Sequence, residues 1–209
     1  MLWRATSANA CPLRVSTSAT ETTIVVPCYN EAERLDVGAF RRATEGDGAK
    51  FLFVDDGSTD GTLRILEKLA DERPQRIAYL SLPRNQGKAE AVRRGLCRAI
   101  EDGARYVGFW DADLATPLDA VAQMVDILAE DDRLEIVLGS RVQLLGRTIE
   151  RRWQRHMAGR LFATFASWTL GVPVYDTQCG AKLFRVTSRL HEMLEEPFDS
   201  RWVFDVELL

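Results

Sequence analysis

The chain has 209 residues, 46% of them hydrophobic, with a formal net charge of -4 and a pI near 5.4, which suits one well-filled core and a single domain. The acidic balance argues against a nucleic-acid binder, although it leaves room for a local basic patch. Four scattered cysteines without a Cys-x-x-Cys pair read as reduced thiols in a cytosolic setting, and two histidines argue against a histidine-based metal or triad site.

Residues 1–21 are rich in Ser, Thr and Ala and lack the apolar core of a signal peptide, so they read as a mobile tail before a domain spanning 22–209. A β-branched run at 22–26 predicts the first strand, stopped by Pro27, and the loop Cys28-Tyr29-Asn30-Glu31 leads into a helix expected over 31–40. In a doubly wound sheet this first strand-to-helix turn is the usual nucleotide position, although no Gly-x-Gly-x-x-Gly is present. Tyr29 could stack on a base or ribose, and Glu31 could accept from a base NH or cap the helix.

The second strand, 51–54, ends in Asp55-Asp56-Gly57-Ser58-Thr59-Asp60-Gly61, so it too delivers acids to its carboxyl end. Asp56-Gly57 supplies a tight turn, and Thr59 or Asp60 can cap the helix 62–69. An acid there can hold a ribose hydroxyl or a uracil NH, or fix a pyrophosphate through a nearby Lys or metal. A third strand, 77–80, precedes Asn85-Gln86-Gly87-Lys88 and a helix over 89–102. Lys88 is oddly placed at a helix start, where the dipole favours anions. It fits if a phosphate sits between it and the free amides; otherwise it is a solvated surface charge.

The fourth strand, 106–110, stops in Asp111-Ala112-Asp113, and Thr116-Pro117 opens a helix over 116–130 with Val121, Met124, Val125 and Leu128 as its core stripe. Open α/β sheets bind ligands at the carboxyl ends of their strands. Residues two apart on an extended backbone point the same way, so Asp111 and Asp113 could share one hard cation while Ala112 keeps the space between them small. The alternative is a turn in which both serve as turn former and cap. The strand 135–138 then leads to Gly139-Ser140-Arg141, where a guanidinium could grip a phosphate.

From Arg147 the character shifts. Arg151, Arg152 and Arg155 belong to a basic amphipathic stretch that runs into an apolar one, suited either to an anionic lipid surface or to docking on the sheet. Residues 161–174 are uncharged for 14 residues. As a helix they would cover roughly 21 Å against about 30 Å of hydrocarbon, too short to span. The final apolar run to Leu209 reads as unfinished.

Six ordered motifs together resemble the inverting GT-A glycosyltransferases: Val26-Pro27-Cys28-Tyr29-Asn30-Glu31, Val54 through Gly61, Asn85-Gln86-Gly87-Lys88, Asp111-Ala112-Asp113, Gly139-Ser140-Arg141, and Asp176-Thr177-Gln178-Cys179-Gly180 with Arg201-Trp202-Val203-Phe204-Asp205-Val206-Glu207. The last of these looks most like dolichyl-phosphate β-glucosyltransferase and its polyprenyl-phosphate relatives. The resemblance implies a Rossmann-like, mostly parallel sheet flanked by helices. It implies that Pro27, Tyr29, Glu31 and Asp56 line a nucleoside pocket, with Asp55 and Lys88 near ribose and diphosphate. Asp111, Ala112 and Asp113 would meet the nucleotide sugar, the two acids through Mg2+ or Mn2+. Arg141 would meet a phosphate, and Asp176, Gln178, Arg201, Trp202 and Asp205 would shape the sugar and acceptor end. Asp113, Arg141 and Asp205 are the catalytic candidates.

The expected activity is inverting transfer of a hexose, glucose from UDP-glucose, to a polyprenyl phosphate, at the cytoplasmic face of a membrane held peripherally through Arg151, Arg152 and Arg155. Three rivals stand beside it: a soluble enzyme of the same fold that glycosylates a hydroxyl with Asp205 or Asp176 as base, a GDP-mannose user, and a silent nucleotide-sugar-binding scaffold. The chain departs from the family pattern at Ala115, where mannosyl members often carry a Gln, and no stretch of it reads as the membrane-spanning anchor that relatives usually carry.

Overall fold

The central runs at 22–26, 51–54 and 106–110 are apolar on both faces and need cover on both, which suits the middle of a mostly parallel sheet. In the computed structural model, which describes residues 21–46, 48–139, 179–200 and 204–208, the strands are β1 (Thr22–Cys28), β2 (Lys50–Asp55), β3 (Ile77–Ser81), β4 (Tyr106–Trp110), β5 (Ile136–Leu138) and β6 (Ala181–Arg185). Among the described residues they form a six-stranded sheet in the order β3-β2-β1-β4-β6-β5. The pairs β1–β2, β1–β4 and β2–β3 are parallel, while β6 runs antiparallel to both β4 and β5.

Side-chain alternation sorts the strands into two cores. One face carries Ile24, Val26, Phe51, Phe53, Tyr106 and Trp110. It is covered by the helices α1 (Val37–Ala43), α2 (Thr62–Glu72) and α4 (Ala120–Glu130), which contribute Phe40, Leu66, Leu69 and the stripe Val121, Met124, Val125 and Leu128. The other face carries Val25, Leu52, Val54, Val107 and Phe109, covered by α3 (Lys88–Glu101), a helix α5 (Ser188–Glu195) and a short helix α6 (Phe204–Glu207). Gly95 of α3 lets that helix lie flat on β1, since a Cβ there would come within 2.3 Å of a Val25 methyl.

Two helices start later than the apolar pattern predicts. Residues 31–35 form a separate turn, with the amides of Arg34 and Leu35 both donating to the Glu31 carbonyl, and α1 begins only after Asp36, whose side chain accepts from the Ala39 amide at 2.9 Å. That cap supplies a local start which periodicity cannot see. Likewise α4 begins at Ala120 rather than Thr116, because the Thr116 carbonyl turns back to accept from the Trp110 indole NH at 2.8 Å. Among the described residues no helix is long and apolar enough to cross a membrane. The tail at 1–20, the basic stretch and the apolar stretch that follows it lie outside the described residues.

Candidate active site

The strand order reverses at β1, with β2 on one side and β4 on the other. The crevice beyond the carboxyl ends of such strands is where an open α/β sheet can receive a ligand. There Pro27, Cys28, Tyr29, Glu31, Arg34, Asp56, Asn85, Gly87, Lys88, Ala91, Asp111, Ala112 and Asp113 enclose a cavity of about 670 Å³.

Each wall has a local cause. Cys28 turns its carbonyl to the Asp56 amide on the β2 side, so Pro27 faces the β4 side, beyond the last β1–β4 pair at Val25, where its missing N–H breaks no ladder bond. Asn30 takes a left-handed conformation, φ 53°, which Asn tolerates better than most residues. Its amide donates to Ser58 Oγ at 3.0 Å and its side-chain oxygen accepts from the Thr59 amide at 2.9 Å. The Glu31 amide donates to Thr62 Oγ1 at 2.8 Å. Laced in this way, the β1 and β2 loops hold Glu31 in the wall and leave Tyr29 44% exposed.

Asp56, buried, spends both oxygens on the loop ahead of α3, accepting from the Gln86 amide at 2.7 Å and the Gly87 amide at 2.9 Å. Gly57 lets this loop close, because a Cβ there would lie 2.5 Å from the Arg84 carbonyl carbon and its φ is +68°. The result is a fixed position for Lys88, the first residue of α3. Its ammonium lies 2.6 Å from Asp111 Oδ1 and above the rings of Phe109 and Phe204. The anion that the helix start called for is therefore, in this structure, the Asp111 carboxylate.

Asp111 and Asp113 both reach the cavity, but through a turn rather than along an extended strand. β4 ends at Trp110, the Leu114 amide donates to the Asp111 carbonyl at 3.1 Å, and Asp113 Oδ1 accepts from the Ala115 amide at 3.0 Å. Leu114 sits at φ 51°, a conformation that costs a side chain of its size on the order of 1 kcal/mol. Asp113 is thus both turn former and cavity acid. Among the described residues no three His, Cys, Asp or Glu side chains gather closely enough to enclose a metal ion.

The electrostatics follow from crowding. Burial raises the Glu31 carboxyl above its ordinary range; Arg34 opposes this, and the Asp113 and Asp60 carboxylates add to it. Burial, with Glu31 and Asp55 adding, pushes the Cys28 thiol far up, so it stays protonated and is no nucleophile.

Two candidates stand away from the cavity wall. Asp55 is buried and accepts from the Ser58 amide at 3.3 Å and Ser81 Oγ at 3.4 Å. Asp205 is buried with one oxygen 2.6 Å from the Lys182 ammonium, which also donates to the Cys179 carbonyl at 3.0 Å and lies over Phe109. Burial lowers the Lys182 pKa, and Asp205 opposes that shift. Arg141, Arg151, Arg152, Arg155, Asp176, Gln178, Arg201 and Trp202 lie outside the described residues.

Sequence reasoning missed Arg34 and the wall formed by Asn85 and Ala91, and it gave no role to Lys182 or Gly180. Lys182 had a visible signal, a single charge inside the apolar run Ala181-Lys182-Leu183-Phe184. A second hollow, about 510 Å³ between α1 and α4, is lined mainly by apolar groups such as Ala39, Phe51, Leu118 and Val125 and gathers no reactive set.

Residues 23–190 match Glycosyl transferase family 2. A dolichyl-phosphate beta-glucosyltransferase of Dictyostelium discoideum is 34% identical over 201 residues, which cover 89% of this chain and 60% of that protein. The chain spans about 60% of the length of the dolichyl-phosphate beta-glucosyltransferases it matches. Among solved structures, a mannosyltransferase of Pyrobaculum calidifontis in complex with GDP-Man and Mn2+ aligns with a TM-score of 0.54 at 24% identity, covering 84% of this chain and 46% of that one. Glucosyl-3-phosphoglycerate synthase of Mycobacterium tuberculosis in complex with UDP aligns with a TM-score of 0.55 at 21% identity, covering 81% and 59%. These likenesses and the mostly parallel sheet establish an α/β GT-A glycosyltransferase fold. With the match running from β1 into α5, the chain belongs to glycosyl transferase family 2.

Proposed function

We propose that the chain transfers glucose from UDP-glucose to a polyprenyl phosphate of the dolichyl type, with inversion at the anomeric carbon. The observation that carries this reading is the convergence of Asp111, Asp113 and Lys88 on one cavity at the reversal of strand order, in a chain similar to proteins named for that transfer.

A divalent ion fits the donor set. Asp111 and Asp113 offer hard carboxylate oxygens to the same cavity without a third close acid among the described residues. Mg2+ and Mn2+ accept such a partial set and complete their shell with phosphates and water. Bound there, the ion would offset charge on the departing diphosphate.

The chain's own residues account for the rest. Tyr29 and Glu31 lie where the nucleoside would rest, and Asp56 holds the loop that sets Lys88. The Lys88 ammonium, at the cavity wall beside Asp111, would face the diphosphate and offset its charge. The acceptor's phosphate oxygen attacks the anomeric carbon as the bond from that carbon to the diphosphate breaks, and UDP leaves. A phosphomonoester has a second pKa of about 6, so this oxygen is already anionic at neutral pH and needs no general base. That agrees with an Asp205 committed to Lys182. The lipid tail calls for a membrane surface, for which Arg151, Arg152 and Arg155 are the proposed peripheral contact at the cytoplasmic face.

The test is to incubate the chain with UDP-glucose and either a short-chain polyprenyl phosphate or the matching free alcohol. The expected outcome is glucosylation of the phosphate alone, dependent on Mg2+ or Mn2+ and lost in Asp113→Ala while the circular dichroism spectrum is retained. Turnover of the alcohol alone would overturn the acceptor, use of GDP-mannose instead would overturn the donor, and transfer surviving Asp113→Ala would overturn the site.

A further inference from the structure

The antiparallel strand β6 brings a distant turn, Cys179-Gly180, against the carboxyl end of β4. Trp110 pairs with Ala181, and the Asp111 amide continues the ladder by donating to the Gly180 carbonyl at 2.8 Å. A Cβ on Gly180 would lie 2.0 Å from Asp111 Oδ2, 2.3 Å from its Cγ and 2.9 Å from its Oδ1. The Asp111 carboxylate thus rests in the space that any other residue at 180 would fill. Gly180 is not among the glycines of positive φ, so room rather than backbone freedom is what the position requires.

The floor beneath the carboxylate is held on several sides. The buried Lys182 ammonium donates to the Cys179 carbonyl and is itself paired with Asp205. The Cys179 sulfur contacts Thr116 Oγ1 at 3.7 Å, and a Cβ added at Gly139 would meet that sulfur at 3.1 Å. Close-packed surroundings of this kind transmit strain instead of absorbing it. A methyl at 180 would therefore displace the mobile partner, which is the Asp111 carboxylate, both from Lys88 Nζ and from any cation it shares with Asp113.

We infer that Gly180 is a positioning residue for Asp111: its bare α-carbon, in a turn that Lys182 holds through the Cys179 carbonyl, is the seat that aims this carboxylate at the nucleotide-sugar cavity. The inference rests on the reading of Asp111 as a ligand of the catalytic cation, and the experiment separates the two. Mn2+ binding in the presence of UDP is followed by the loss of the free-ion electron paramagnetic resonance signal for the wild-type chain, Gly180→Ala and Asp111→Ala. Thermal unfolding is measured for the same proteins and for the double variant.

Gly180→Ala is expected to weaken Mn2+ binding about tenfold or more, as groups that orient metal ligands commonly do. It is also expected to lower the melting temperature in the Asp111 background but not in the Asp111→Ala background, where the obstructing carboxylate is gone. Folding of the double variant when Gly180→Ala alone does not fold would give the same support. The inference is overturned if Gly180→Ala binds Mn2+ as the wild type does while Asp111→Ala does not, if both backgrounds lose equal stability, or if neither folds. Absence of Mn2+ binding by the wild type would sink the cation reading instead, and the unfolding comparison would still decide the seat.

Discussion

At the scale of single residues, the cavity depends on how each ionisable side chain spends its lone pairs. Asp55 and Asp56 are adjacent and look alike in the sequence. One strand's alternation sends Asp55 to Ser81 and Asp56 to the amides before α3, and only Asp56 lines the cavity. Glu90 on α3 is a second example of full commitment: its two oxygens take Arg93 in a fork at 2.8 Å and Arg94 at 2.8 Å. The Arg93 hydrogen bonds, aided by Arg94 and opposed by burial, hold the Glu90 carboxyl below its ordinary value of 4.5. A depressed acid contributes stability that is complete above 4.5 and is lost as pH falls through the lower folded value. Glu90→Gln should cost about 1 kcal/mol at neutral pH after allowance for solvent screening, and nothing once both proteins are below that folded value. Urea midpoints measured at neutral and strongly acid pH check this, and an equal loss at both would refute it.

At the scale of elements, apolar spacing places a helix but does not set where its first turn begins. The spacing predicts a helix from 31, yet α1 begins after Asp36, whose carboxylate accepts from the Ala39 amide. Asp36→Ala should destabilise the fold by about 1 kcal/mol, the ordinary worth of an N-cap, whereas Asp36→Asn should be close to neutral. Chemical denaturation separates the two, and equal losses would mean that the charge rather than the cap matters. Where a helix is long and its stripe unbroken the sequence is sufficient: all four residues expected to form the α4 core, Val121, Met124, Val125 and Leu128, are buried. The difference is physical. A four-residue apolar face is a local pattern, while the first turn of a helix depends on which nearby oxygen reaches a free amide.

At the scale of the whole molecule, the acids stand at the strand ends that the β-branched runs foretold, and the basic stretch beyond β5 is proposed to bring that edge to a lipid surface. Flotation with anionic liposomes should carry the wild type upward and leave more of an Arg151→Ala, Arg152→Ala, Arg155→Ala variant at the bottom; equal flotation would remove the lipid dock. The first five strands, the acids after β1, β2 and β4, and Lys88 at a helix start were legible in the chain, because each rests on neighbours within a few positions; β6 was not read as a strand, since Lys182 and Arg185 interrupt its apolar run. Family membership was legible too, since ordered motifs survive without coordinates. The pairing of β6 against β4 was not, and with it came Gly180 beneath Asp111 and Lys182 against Asp205. The sequence by itself determined which side chains could do chemistry at the ends of the strands. Only the tertiary structure decided which of them meet, because antiparallel entry of a late strand is a long-range contact that local periodicity cannot encode.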